Sequence, residues 1–334
     1  MSDAGGAGGA GGGRAYRVVH RTEYRYDDEV TASYGRTCLT PRDVLGQWTR
    51  QARLDVVPTP DLVSEAEDFF GNVSAYVEVH TPHDRLEVTA TSEVVVDRAV
   101  PDLASVDGWT WEHARDAVRD WPAPGPALGP PLGPAAPADV VDPVAARGFL
   151  LPSPQAGFEE GVERFAAGTF TPGRGVGDAV RALVHRIHAE FVYRPGATSV
   201  TTPLRDVLAR REGVCQDFAH LTVACLRRVG LPARYVSGYL ETLPPPGQPK
   251  LQGADASHAW ASVLLPELGW VDVDPTNDRV VDDDYVVTAW GRDYTDVPPL
   301  KGVIFTESTK STLKVAVDVV RIPGPQGPRE TRSP

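Results

Sequence analysis

Between residues 16 and 26 the chain reads YRVVHRTEYRY, and its side chains fall on alternating sides of an extended backbone. Tyr16, Val18, His20, Thr22, Tyr24 and Tyr26 share one face, while Arg17, Arg21, Glu23 and Arg25 share the other. That period of two predicts a half-buried strand. RLEVTATSEVVV (85–96) repeats the pattern, with Leu86, Val88, Ala90, Val94 and Val96 on one side. Residues 15–98 therefore read as a β-rich module of antiparallel strands. Further on the period lengthens. In VGDAVRALVHRIHAEF the apolar residues Val176, Val180, Leu183, Val184, Ile187 and Phe191 recur at helical spacing. His185 and His188 of that segment read as part of a solvated helix face rather than as metal ligands.

TTPLRDVLARREG (201–213) predicts the next helix, with Thr202 as N-cap, Pro203 at the first helical position and Gly213 as the stop. A further helix begins near Cys215. Phe218, Leu221, Cys225 and Val229 form its apolar stripe, and Gly230 ends it before Pro232. Three β-like runs follow, RYVSGYL, HAWASVLL and WVDVDPT, and TLKVAVDVVRI closes the pattern as an alternating strand.

The proline-rich run PAPGPALGPPLGPAAPADVVDP (122–143) supplies few ladder donors and little to pack, so it predicts an extended linker or surface loop and the main boundary of the chain. The expected organisation is a Gly-rich tail (1–14), the β-rich module (15–98), a linker with the Pro-rich insert (99–157), a core (158–300), a C-terminal strand segment (301–323) and a tail (324–334).

Composition trims the functional classes. A chain of 334 residues can bury a sizeable core as one large domain or two ordinary ones. Its net charge of −12 offers no basic stripe for a nucleic-acid backbone. No apolar run is long enough for a membrane span, and the N-terminus lacks the pattern of a signal peptide. Three cysteines, Cys38, Cys215 and Cys225, form no CxxC and no paired framework, so a cytoplasmic location with reduced thiols is expected.

The cysteines differ in placement. Cys225 lies on the apolar stripe and reads as a small buried hydrophobe, as does Cys38. Cys215 lies at a helix start, where unpaired N–H groups and the helix dipole favour a thiolate. Asp217, two residues on, partly opposes this, so a nearby cationic histidine is needed. His220 is on the same helix, about 140° around it, and should point elsewhere. His258 opens a strand that a turn around PELG returns through WVDVDPT as an antiparallel hairpin. A general base needs a third group to orient it, and the return strand offers Asp272 and Asp274. If Leu264 pairs with Trp270, Trp260 opposes Asp274 and His258 lies diagonally from Asp274 on the same face. A slip by one residue would separate them. Asp272 has the same parity, so parity alone does not choose.

The blocks GVCQDFAHL, SHAWASV and GWVDVDPTN, in that order, resemble the Cys, His and Asp blocks of the transglutaminase-like superfamily, a relative of the papain-like cysteine proteases. YRPGATSVTTPLRDVLARREG, GLPARYVSGYL, VVHRTEYRYDDEV, DFFGN and GRDYTDVPPLKGV resemble its bacterial branch, so the likeness spans about residues 16–321. Each block alone is moderately specific; the ordered set is strong.

The resemblance implies an α+β fold, with a papain-like core in which the nucleophile helix packs on an antiparallel sheet, preceded by a β-rich N-terminal module. It implies Cys215 as nucleophile, His258 as proton shuttle and Asp274, which matches the D-P-T block, as the orienting carboxylate. The implied substrate is a peptide or protein amide, attacked to give a thioester that passes to a primary amine or to water. Part of an oxyanion hole falls to backbone N–H groups at the helix start. A papain-like enzyme would place a glutamine where this chain has Ala209, and Tyr193 is a weak alternative donor. The calcium sites of animal transglutaminases have no room here, so no metal or cofactor is expected.

Two other readings compete. One is a binding or scaffold protein that retains the fold, against which the intact trio argues. The other is a zinc site at Cys215, His220 and His258, against which helix geometry and the missing fourth ligand argue. Of the remaining features, Asp282, Asp283 and Asp284 read as a solvated loop, Trp260 and Trp270 as core packing, and Arg292, Asp293 and Asp296 as structural anchors of the C-terminal segment.

Overall fold

The computed structural model describes residues 13–120, 142–242, 255–307 and 309–324. Strands β1 (Arg14–Thr37), β2 (Gln47–Val57), β3 (Leu62–Glu67), β4 (Val73–Val79) and β5 (His83–Val96) build an antiparallel N-terminal sheet in the order β2-β5-β1-β4-β3. The alternation read from the sequence orients it. Tyr16, Val18, His20 and Thr22 are buried, whereas Arg17 and Arg21 reach solvent. On β5, Glu93 pairs with Arg17 directly opposite and Glu87 pairs with Arg21 on the diagonal.

The described parts of the connection to the core carry helices. Helices α1 (Trp111–Asp120) and α2 (Pro143–Gly148) flank the proline-rich run, most of which lies outside the described residues, as do the tails at 1–12 and 325–334. Leu103, Val106 and Ala114 belong to the main core, because their apolar side chains cover α4 (Val176–Glu190). The remaining core helices are α3 (Glu160–Ala167), α5 (Leu204–Arg210) and α6 (Cys215–Arg228), with β6 (Val192–Tyr193) and β7 (Glu212–Gly213) forming a short parallel pair.

Helix α5 departs from its expected caps. It starts one residue late, with Pro203 in the cap position, and Thr202 instead accepts from the Ser199 N–H. It stops at Arg211, whose φ of 55° breaks the helix before Gly213. Gly213 serves a different purpose: a Cβ there would lie 2.8 Å from Asp217 Oδ2. A side chain at 213 would displace the carboxylate that caps α6.

Helix α6 is not amphipathic in its setting. Every residue from Asp217 to Arg227 is buried, because helices cover one side and a sheet the other. The polar face survives by internal partners. Arg227 donates to the carbonyls of Ala233, Leu151 and Arg292, while Thr222 donates to Phe218 O.

That second sheet has five antiparallel strands, β8 (Ala233–Leu240), β9 (Ser257–Leu265), β10 (Gly269–Asp274), β11 (Arg279–Val280) and β12 (Tyr285–Gly291), in the order β11-β10-β9-β8-β12. The last strands, β13 (Leu300–Thr306) and β14 (Ser311–Ile322), return to pair with β1, so both ends of the described chain share one sheet. Tyr16, Val18, Val94, Val96, Val317 and Val319 of the N-terminal sheet pack with Tyr239 and Val286 of the core sheet in one apolar cluster.

The aspartate run is a correction. Asp282, Asp283 and Asp284 form a joint to the N-terminal sheet rather than a solvated loop. Asp284 pairs with Arg14, Asp283 Oδ1 accepts from Arg98 N at 2.6 Å, and Tyr16 Oη donates to Asp283 O at 2.9 Å. Arg279 pairs with Asp282, so the run's negative charge is matched from two directions.

Candidate active site

The hairpin register decides the site. Trp270 lies opposite Leu264 and Val273 opposite Ala261. This register carries Asp274 to the diagonal of His258, and His258 Nε2 donates to Asp274 Oδ2 at 2.7 Å. Asp272 is used differently: it accepts the indole N–H of the fully buried Trp260 at 3.0 Å.

Asp274 is completely buried yet well solvated by protein. Its Oδ1 accepts from the N–H groups of Thr276 and Asn277 at 2.8 and 3.3 Å. Its Oδ2 accepts from His258, from Asn277 Nδ2 at 2.7 Å and from Tyr285 Oη at 2.7 Å. Burial alone would raise this carboxyl; the hydrogen bonds and the His258 charge outweigh it and hold its pKa below the ordinary value. The turn that follows is braced from α4: His185 bonds Asp278, and His188 bonds the Thr276 carbonyl. These two histidines are exposed, as expected of a solvated face, but each is tied down.

His258 is raised to about 10. Desolvation pulls its pKa down, but hydrogen bonds and charge from Asp274 and from Cys215 pull it up further. With Nε2 on Asp274, Nδ1 is the ring nitrogen left for the sulfur. Trp260 and Tyr285 flank the imidazole, with centroids 6.1 and 6.0 Å away. Cys215 itself is half-buried at the first position of α6.

Asp217 caps that helix end, accepting from Val214 N at 2.8 Å and from Thr198 Oγ1 at 2.6 Å. Burial raises its pKa, and the hydrogen bonds from Thr198 and Val214 act against that rise. Tyr235 and Tyr193 line the neighbourhood of the sulfur; both hydroxyls titrate high, first from burial and then from the Cys215 charge. Ala209 sits on α5, whereas Tyr193 lies on β6, beside Gly213.

The other candidates separate cleanly. His220 is buried against Tyr235, is pushed down to about 4 by burial, and accepts the Tyr294 N–H at its Nε2. That nitrogen is therefore occupied. Cys38 and Cys225 are buried in the main core, and burial raises both thiols. Trp270 packs between Phe149 and Arg234. Arg292 and Asp296 pair bidentately, and buried Asp293 accepts from Thr295 and Gln155, which fixes the segment after β12. Asn277 and Tyr285, which complete the carboxylate cage, carried no signal in the sequence beyond Asn277 ending the GWVDVDPTN block.

A thiol at the head of a buried helix, reached by an imidazole that a caged carboxylate holds from behind, is the arrangement of the papain-like class, and the antiparallel sheet beside the helix conforms to it. Comparison with known proteins narrows the class. Residues 16–95 match the family described as the bacterial transglutaminase-like N-terminal region, and residues 163–275 match the transglutaminase-like superfamily. An uncharacterised protein of Mycobacterium tuberculosis is 44% identical over 317 residues, covering 94% of this chain and 95% of the relative. One from Mycobacterium leprae is 34% identical over 310 residues, covering 92% and 98%. The chain belongs to the transglutaminase-like superfamily.

A protein-glutamine gamma-glutamyltransferase of Pseudomonas aeruginosa is 38% identical over 101 residues, which is 29% of this chain and 15% of that protein. The crystal structure of a candidate cysteine protease from Cytophaga hutchinsonii superposes with a TM-score of 0.66 at 20% identity, over 95% of this chain and 94% of that one. At that identity the likeness speaks for the fold.

Proposed function

We propose that the protein is a cysteine-dependent acyl-transfer enzyme acting on amide substrates through a thioester. The observation that carries this reading is His258, hydrogen-bonded to Asp274 at 2.7 Å and raised in pKa by both Asp274 and Cys215. An imidazole held so favours its protonated form and is placed to pass that proton to a leaving group.

In the first half-reaction the Cys215 sulfur attacks the amide carbon, and the carbonyl π electrons move onto oxygen. When the tetrahedral adduct collapses, the C–N bond breaks and His258 gives its proton to the leaving nitrogen. In the second half-reaction an amine or water attacks the thioester, His258 takes its proton, and the thiolate leaves. Asp274 keeps Nε2 protonated throughout, so Nδ1 is the nitrogen that exchanges. The Cys215 N–H, at a helix start where no partner four residues earlier exists, supplies one oxyanion donor. The hydroxyl of Tyr193 is the second candidate.

The substrate is an amide of a peptide or protein, with a primary amine as one acceptor and water as the other. The free thiols fit a reducing, cytoplasmic setting, which is part of this proposal. The test is alkylation of Cys215 by iodoacetamide across pH in the wild type, Cys215→Ala and His258→Ala. The wild type should label at a rate that His258→Ala sharply reduces. An unreactive Cys215 would leave only a scaffold. A glutamine peptide, with and without a labelled amine, then separates transfer from hydrolysis.

A further inference from the structure

Strand β12 is the edge of the five-stranded sheet, bonded to β8 on one side. Its other edge is satisfied by two side chains of the N-terminal module, with the Arg42 N–H also donating to Val287 O at 3.2 Å. Gln47 donates from Nε2 to Val287 O at 2.9 Å and accepts the Val287 N–H at 2.8 Å. Asn72 donates from Nδ2 to Trp290 O at 2.8 Å and accepts the Trp290 N–H at 2.9 Å. Each carboxamide thus exchanges the pair of bonds that a neighbouring strand residue would make. Both side chains are buried and held in turn: Gln47 Nε2 also donates to Arg42 O, and Asn72 is bonded to Asp68 and Arg42.

The two grips straddle an irregularity. The β12–β8 register shifts between Val287 and Ala289. A bulge leaves a residue unpaired and disrupts the ladder locally, so the strand beside it depends more on what holds its other edge. At the start of the same strand, Asp283 and Asp284 are tied to Arg98, Tyr16 and Arg14 of the module. Tyr285 lies between these ties and the grips. It is fully buried, donates to Asp274 Oδ2, and packs its ring on Trp260 and His258. The charged groups around it are Asp274, His258, Arg279 and Asp282.

We infer that the N-terminal module is a positioning element of the active site: through Gln47 and Asn72 it pins β12 in the register that keeps the Tyr285 hydroxyl on the Asp274 carboxylate. This rests on the thiol chemistry proposed above, but it concerns the carboxylate and can fail independently.

Two readouts on the full chain separate the cases. The first is the 15N resonance of the His258 ring from pH 3 to 10; the second is the alkylation profile of Cys215. Tyr285→Phe keeps the ring packing and removes one donor that stabilises the Asp274 anion. The acid limb sensed by His258 should therefore move to higher pH by about one unit. Gln47→Ala should move it the same way by less, and should add nothing in a Tyr285→Phe background. Asn72→Ala, acting at the other grip, stands in if Gln47→Ala does not fold by circular dichroism. A Tyr285→Phe titration that superimposes on the wild type overturns the inference, as does a module variant whose shift persists undiminished without the hydroxyl. Loss of the His258 dependence of alkylation, with the 15N shifts intact, would instead remove the thiol chemistry and leave the positioning.

Discussion

On the N-terminal sheet, Arg17 pairs with Glu93 and Arg21 with Glu87 across the solvent-facing side of β1 and β5, whereas the five-stranded sheet and its helix carry Asp274, Asp217, Arg227 and His258 inside. The same sequence grammar, charges on strands, leads to different physics. In water an ion pair gains little, because solvation of the separated partners nearly matches it. In the interior each charge survives only by a complete set of partners, so removing one strands the rest. Asp274, with five donors on two oxygens, is the extreme case. The N-terminal sheet is insulated from that chemistry on its outer face and committed to it at β12.

The largest effect that would break this comparison is at the sulfur. Cys215→Ala should abolish thiol-dependent turnover, and His258→Ala should lower it by ~10³-fold or more, as for groups that act as a unit. Turnover on an amide substrate at neutral pH checks both. A His258→Ala enzyme within tenfold of wild type would remove the buried pair from the chemistry.

Next comes stability. Asp274→Ala leaves the donors of Tyr285, Asn277 and His258 unpaired in the interior and should cost about 3–5 kcal/mol, read by urea denaturation. Gln47→Ala orphans the Val287 N–H, while Val287 O keeps the Arg42 N–H, and should cost about 1–3 kcal/mol in the same assay. At the other end, Arg17→Ala on the outer face should cost at most about 1 kcal/mol. If Arg17→Ala matched Asp274→Ala, the contrast between the sheets would collapse.

The pH dependence sharpens it. Asp274 is lowered in the fold, so its contribution is present above the ordinary carboxylate pKa and lost as pH falls through the folded value. His258 is raised, so its contribution is full below the ordinary imidazole pKa and lost as pH rises toward about 10. His20 and His220 are each lowered to about 4 by burial, so they destabilise the fold as pH falls from about 6.5 toward that value. Melting temperature should thus begin to fall already below pH 6.5 and fall again near the carboxylate range. Asp274→Asn should flatten the alkaline loss and the second acid step while leaving the first. A single acid transition unchanged by Asp274→Asn would contradict the assignment.

Much of the site was legible. The alternation of HAWASVLL and WVDVDPT left two registers open; the one pairing Leu264 with Trp270 puts His258 and Asp274 on the same face, and the structure has that register. Parity could not choose Asp274 over Asp272; the family block chose, and the structure shows the physical difference, since Asp272 is engaged by Trp260. Tyr285 was not legible, because a tyrosine heading a β-like run reads as ordinary core, and its target lies across strands that the sequence does not order. Nor were Gln47 and Asn72. A carboxamide that substitutes for a strand neighbour has no local signature, although Asn72 closes the DFFGN block that carried the resemblance. The burial of α6 on all sides escaped the helical stripe for the same reason: helix partners are a tertiary fact.

The sequence by itself determined which faces of β1 and β5 are wet, where α6 begins with Cys215, and that His258 and Asp274 could meet across a hairpin, because those depend on side-chain period and local turn chemistry. Only the tertiary structure decided that β13 and β14 close back on β1, that the aspartate run is a joint, and that two amides from the N-terminal module complete the outer edge of the five-stranded sheet. Those contacts join residues far apart in the chain, 185 positions for Arg98 and Asp283 and 240 for Gln47 and Val287, and long-range pairing is chosen by what the whole chain can bury and satisfy at once, not by any segment's own pattern.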